Sequence, residues 1–248
     1  MCIIIAKPAG IALPPEETLK HCAEKNKDGI GIAYTFNGMV KIKKDFNDLE
    51  AFKSFLNKNI TDRDACLIHF RIATTGKVNV SNCHPFPLTS RRKRLTAPES
   101  TTDIAVAHNG TFDDLKGHKK YSDTLLFIRN ILSDSIIRNN LHSTAIQELI
   151  NGYIDNSKLA IMNRMGDILR FGTFYPHEGL FYSNAGYKPY EVTEYRHYGP
   201  TRREKCMECH IESAWKDVEW SYIAQGFVCR ECRDAKTNRA QITSNCSN

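Results

Sequence analysis

Apolar positions along the 248-residue chain follow two rhythms: short unbroken runs, and residues spaced three and four apart. The runs Ile3 to Ala6, Ala65 to Ile72 and Ile104 to His108 predict buried strands. Asp28-Gly29-Ile30-Gly31 is a turn entering another strand, and its glycines allow close approach by a second segment. Asn37-Gly38 predicts a hairpin into Met39 to Ile42. Further strands are expected at Lys158 to Asn163, Ile168 to Phe174 and Leu180 to Ser183, with a turn at residues 165–167. Helical spacing places Leu19 and Ala23 on one face of a helix from Glu16 to Lys27. It does the same for Leu49, Phe52, Phe55 and Leu56 between Asp45 and Asn59. Ser122 reads as the N-cap of a helix running toward Leu132, and a second helix covers Ser143 to Asn151. Strands, then helices, then strands again imply an α+β fold of layered sheets covered by helices.

Length and composition change this picture little. The chain suits one medium domain with a small appendage. Nothing is apolar for long enough to span a membrane, and the start lacks the pattern of a secretory signal. Nine cysteines without a disulfide-framework rhythm point to a reducing cytoplasm. The formal charge of +6 raises the question of nucleic acid, but its distribution weakens that reading. Much of the excess is the run Arg91-Arg92-Lys93-Arg94, expected as a solvated loop.

Candidate chemistry starts at Cys2. Removal of Met1, which so small a second residue permits, leaves a thiol and an α-amine on one residue. That amine titrates near pH 7.7–8.0 when unperturbed, about where a general base for the thiol is wanted. Arg71, in His69-Phe70-Arg71-Ile72-Ala73-Thr74-Thr75-Gly76, offers a planar fork of donors for a carboxylate. Asn109-Gly110, after a strand, can aim a side-chain amide and a backbone N–H at one point, as an oxyanion requires. Asp123, in Ser122-Asp123-Thr124, could face an ammonium. Taken singly, the ordinary reading of each is favoured: a surface salt-bridge Arg, a hairpin turn and a helix cap.

Taken in order with Met1-Cys2, Asn82-Cys83-His84-Pro85-Phe86 and Tyr182-Ser183-Asn184, they resemble the class II glutamine amidotransferases over about residues 2–190. The resemblance implies a four-layer αββα sandwich of the N-terminal-nucleophile hydrolase type. It implies Cys2 as nucleophile, Asn109 and Gly110 as the oxyanion hole, Arg71 for the α-carboxylate of glutamine and Asp123 for its α-amine. By the same resemblance, Thr74 and Thr75 fall in the turn that family members use to line the glutamine pocket. Ile72 and Thr75 stand where many members of the family have an aromatic residue and a His. Both departures border the pocket. His84, flanked by Pro85, reads as shaping a loop, and Cys22, Cys66 and Cys83 read as small buried thiols.

Cys206, Cys209, Cys229 and Cys232 form two C-x-x-C pairs. Four thiolates so spaced suit a tetrahedral structural Zn²⁺, so residues 200–235 read as a zinc ribbon. Trp215, Trp220, Tyr222 and Phe227 are its expected core. Residues 201–248 carry eight Lys/Arg against seven Asp/Glu, and four thiolates with one Zn²⁺ make the segment net acidic. A protein partner is therefore preferred for it over nucleic acid.

The domains expected are an amidotransferase domain at 2–195, the ribbon at 200–235 and a polar, mobile tail at 236–248. The function expected is a glutaminase subunit that hydrolyses glutamine to glutamate and ammonia and supplies a separate synthetase. Two alternatives stay open: an N-terminal-nucleophile hydrolase of another amide, and a non-catalytic binding protein using its ribbon.

Overall fold

The computed structural model describes residues 2–44, 46, 48–72, 78–115, 121–188, 203–206, 209, 212–214, 218–221 and 226–232. Two units divide the chain, Met1–Pro189 and Tyr190–Asn248.

The first unit opens with β1 (Ile3–Lys7), α1 (Glu16–Lys25), β2 (Ile30–Phe36), β3 (Met39–Lys43), α2 (Leu49–Asn59) and β4 (Cys66–Phe70). It continues with β5 (Phe86–Pro87), α3 (Arg92–Leu95), β6 (Glu99–Thr102), β7 (Ile104–Asn109), α4 (Asp123–Phe127), α5 (Ser135–Asn139) and α6 (Thr144–Ile154). Four strands complete it: β8 (Lys158–Asn163), β9 (Ile168–Phe171), β10 (Tyr175–His177) and β11 (Leu180–Tyr182). A seven-stranded sheet runs β10-β11-β1-β4-β2-β3-β6 and a four-stranded sheet β5-β7-β8-β9. The pairings are antiparallel. The fold is mixed and consistent with the α+β class.

Alternation along the strands sorts the core into three clusters. Ile3, Ile5, Ile32, Ile68 and Phe70 turn toward α1 and α2, meeting Leu19, Cys22, Phe52 and Leu56. Their neighbours Ile4, Ala6, Ala33, Ile42 and Leu67 turn the other way and meet Ala105, Ala107, Ala160 and Met162 of the second sheet. Alanine on both sides lets these two sheets approach closely. Val106, Leu159, Ile161 and Phe171 turn outward again onto Leu125, Phe127, Ile150 and Ile154 of α4 and α6. Each buried Ile, Leu or Phe contributes about 1.5–3 kcal/mol, so the three clusters hold the unit together.

Several boundaries differ from expectation for local reasons. The helix expected from Asp45 begins at Leu49, because the Asp48 side chain caps it by accepting the Ala51 N–H at 2.8 Å. Asp45 and Asn47 lie outside the described residues. The helix capped by Ser122 widens after Phe127 into a π-helical stretch, with Ser133 N–H reaching Ile128 O at 2.9 Å. The strand expected to reach Phe174 stops at Phe171, where Gly172 takes φ 76°. The basic run is not a loop: Arg92–Leu95 is a short helix anchored by fully buried Leu95, whose carbonyl takes the Lys44 ammonium at 3.0 Å. The Asn37-Gly38 hairpin is present, with φ 49° and 71°. The glycine expectation also holds: a Cβ on Gly31 would lie 2.0 Å from His84 O.

The described residues of the second unit form two hairpins, β12 (Arg203–Lys205) with β13 (Glu212–Ala214) and β14 (Val218–Ser221) with β15 (Gly226–Cys229). Trp215 and Tyr222, and the side chains of Trp220 and Phe227, lie outside what is described, as does the tail. No described helix is long and apolar enough to cross a membrane.

Candidate functional site

Strand register brings the first group of candidate residues together. Ile3 lies opposite Phe70, so one step further Cys2 stands opposite Arg71. Arg71 N–H donates to Gly29 O at 2.8 Å and Arg71 O accepts from Asp28 N–H at 2.9 Å, extending the β2–β4 ladder past Phe70. By the two-residue period of a strand, Cys2 shares a face with Ile4 and Ala6, and Arg71 with Leu67 and His69. That face is the inter-sheet layer. Across it, Asn109 continues the series Ala105, Ala107 on β7. The nucleophile candidate, the carboxylate fork and the amide candidate thus converge on one end of one layer.

The Cys2 thiol is half-buried against a peptide group. It donates to Ile72 O at 3.3 Å and receives Ile72 N–H at 3.4 Å. Burial raises its pKa, while the Ile72 N–H and the Arg71 charge pull the other way. A resting thiol is therefore neutral near pH 7 and needs a base at the moment of attack. Asn184 pins the same residue by donating to Cys2 O at 2.6 Å, its own carbonyl held by Gly186 N–H at 2.8 Å.

Gly110 takes φ 151°, and a Cβ there would fall 2.0 Å from Ser157 Oγ, so only glycine fits. Asp123 opens α4, where the Ser122 hydroxyl caps Leu125 N–H at 3.2 Å. Its buried carboxylate accepts Thr124 N–H at 2.8 Å on one oxygen and Phe112 N–H at 2.7 Å on the other. Asp123 thereby clamps the chain two residues past Gly110, and each oxygen keeps a lone pair for another donor. Thr74 and Thr75 lie outside the described residues.

Sequence reasoning reads His84 as loop-shaping and Ser183-Asn184 as part of a motif, but does not give the contacts that the structure places here. Ser183 and Asn184 tie β11 to β1 and to the site. A buried trio of His69, His84 and His108 lies under Arg71, His69 and His84 with ring centres 4.4 Å apart. His84 Nδ1 meets His108 O at 2.9 Å, and His108 Nδ1 meets Thr124 Oγ1 at 2.8 Å, its ring stacked on Phe112. Burial, with Arg71 adding to it, pushes His69 down to about 3, and burial does the same to His108. The trio is neutral. Only the exchange of polar for apolar residues at strand ends could have hinted at it.

In the second unit the sulfurs of Cys206, Cys209, Cys229 and Cys232 all lie within 4.8 Å of one another. Cys209 and Cys229 are 3.8 Å apart, and Cys229 N–H points at Cys206 Sγ at 3.4 Å. A tetrahedron of sulfurs about 2.3 Å from a metal has edges of about 3.8 Å, so this donor set fits a metal ion.

Residues 16–137 match the family model of the class II glutamine amidotransferases. The match takes in Arg71, Asn109, Gly110 and Asp123 and begins after Cys2. No curated protein matches the chain. Over residues 16–137 of its first unit, the chain is similar to the class II glutamine amidotransferases.

Proposed function

We propose that the protein hydrolyses glutamine to glutamate and ammonia with Cys2 as nucleophile, and passes the ammonia to a separate synthetase. The observation that carries this reading is the register that sets Cys2 opposite Arg71, with Asn109 turned into the same layer. Helices packed on the outer faces of the two sheets support reading the unit as a four-layer αββα N-terminal-nucleophile hydrolase.

Met1 is removed, and the thiol gives its proton to the α-amine of Cys2 as sulfur attacks the carboxamide carbon. Asn109 and Gly110 N–H groups receive the oxyanion. The C–N bond breaks and the amine returns its proton to the leaving nitrogen, releasing ammonia. Water, deprotonated by the same amine, then adds to the thioester and frees glutamate. Arg71 grips the α-carboxylate, Asp123 takes the α-ammonium on its remaining lone pairs, and Thr74 and Thr75 line the pocket. Ile72 touches the thiol through its main chain, so its side chain can differ from that of other members without disturbing that contact.

Cys206, Cys209, Cys229 and Cys232 hold a structural Zn²⁺, making the second unit a ribbon that recruits the protein partner, with nucleic acid the less favoured occupant. A reducing compartment, the cytoplasm, suits a set of described cysteines with no disulfide among them.

The test is the intact mass of the purified protein before and after a glutamine-like diazoketone, with ammonia release measured alongside. Loss of Met1, one adduct on Cys2 and glutamine-dependent ammonia support the reading. A clipped protein with no adduct points to another amide. Retained Met1 blocks the amine and overturns the catalytic reading.

A further inference from the structure

Ser183 is fully buried just past β11, and its backbone N–H donates to Ile4 O at 3.0 Å. Its hydroxyl oxygen receives Ile4 N–H at 2.9 Å and Asn109 Nδ2 at 2.8 Å. One side chain therefore joins the strand that carries Cys2 to the amide on the opposite sheet. In this arrangement the buried Asn109 Oδ1 has no hydrogen-bond partner among the described residues. Leaving such an oxygen unpaired costs about 1–3 kcal/mol.

A half-turn of the carboxamide about Cβ–Cγ fills the same space and changes only which edge donates. The Ser183 hydroxyl then donates to Asn109 Oδ1 while still accepting from Ile4 N–H, which uses its hydrogen and removes the unpaired oxygen. Both carboxamide hydrogens move to the edge facing away from Ser183. That is the edge an oxyanion needs. From this geometry we infer that Ser183 is a positioning residue, whose hydroxyl sets the polarity of the Asn109 carboxamide so that its N–H groups face the reacting carbonyl. The inference rests on the reading of Asn109 as an oxyanion donor.

Two measurements test it. Neutron diffraction from crystals of the wild-type protein reads the orientation directly. Deuterium is expected on Ser183 Oγ pointing at Asn109, with the carboxamide deuterium on the far edge. Carboxamide deuterium facing Ser183 overturns the inference. In glutamine hydrolysis, Ser183→Ala should lower kcat about 10- to 100-fold with KM changed less than about twofold, and Ser183→Thr should recover most of it. An unchanged kcat, or a loss confined to KM, overturns it too. Should Ser183→Ala not fold, Ser183→Thr and the neutron map still decide. A wild-type protein that releases no ammonia from glutamine would sink the proposed reaction, whereas the deuterium positions would still rule on Ser183.

Discussion

Cysteine sits in two contrasting surroundings in this chain. Cys2 stands at the end of a strand in a unit whose three apolar clusters exist without it. Among the described residues of the second unit, cysteines are much of what is buried: Cys206 and Cys229 cluster with Val228, and half-buried Cys232 packs on them. The same thiol can be an ornament of a finished fold or the reason for one. Removal of sulfur should therefore cost chemistry in the first unit and structure in the second.

The largest effect is expected at the four-sulfur cluster. Structural zinc binding in small domains carries about 10–16 kcal/mol of apparent free energy, so a strong chelator, or Cys206→Ser with Cys229→Ser, should unfold the second unit outright. Limited proteolysis and bound metal per chain would read this out. Hydrolysis of glutamine by the first unit should survive. A second unit that stays protected after the metal is stripped would break the contrast at its root.

Next is Cys2→Ala. Loss of an attacking group should lower glutamine hydrolysis on the order of 10⁴-fold or more, while the denaturation midpoint moves little, since the thiol is only half-buried. A large fall in stability would mean that Cys2 is structural after all. Gly110→Ala sits between the two extremes. Its Cβ would press on Ser157 Oγ at 2.0 Å, so the loop must shift and carry one oxyanion donor away. A drop of about 10²–10³ in kcat is expected, together with some destabilisation.

How much of this was legible in the sequence depended on reach. Apolar runs gave β1, β7 and β8, and Asn37-Gly38 and Ser122 gave a hairpin and a cap, because each signal is local. Strand β10 was missed: it is exposed, contains Pro176, and owes its form to pairing with β11 rather than to any pattern of its own. Helix α3 hid inside a charge run, and what fixes it is distant in sequence: Lys44 on the Leu95 carbonyl and Tyr121 on Arg92. Candidate site residues could be proposed from their order along the chain, but not their wiring. Ser183 meets Asn109 across 74 positions, and Asn184 meets Cys2 across 182, separations that no spacing rule covers.

The smallest effect concerns pH, and it sharpens the comparison because buried titratable groups bound the first unit from both sides. An unfolded histidine takes its proton near pH 6.5, whereas burial pushes His69 and His108 down to about 3. Between those values the unfolded chain holds more protons than the folded one. Stability is then complete above about pH 6.5 and lost as pH falls, at roughly 1.4 kcal/mol per pH unit for each histidine. The thiols act in the opposite sense. Burial pushes Cys22 and Cys66 up to about 12, so above the unfolded value of about 8.5 the folded state holds more protons and stability declines as pH rises. Urea midpoints of the first unit, followed by tryptophan-independent far-UV dichroism, should trace a plateau between about pH 6.5 and 8.5 with a slope on each side. A midpoint that stays flat from about pH 7 down to 4 would mean that the trio ionises within the fold, and that the packing under Arg71 is open to water.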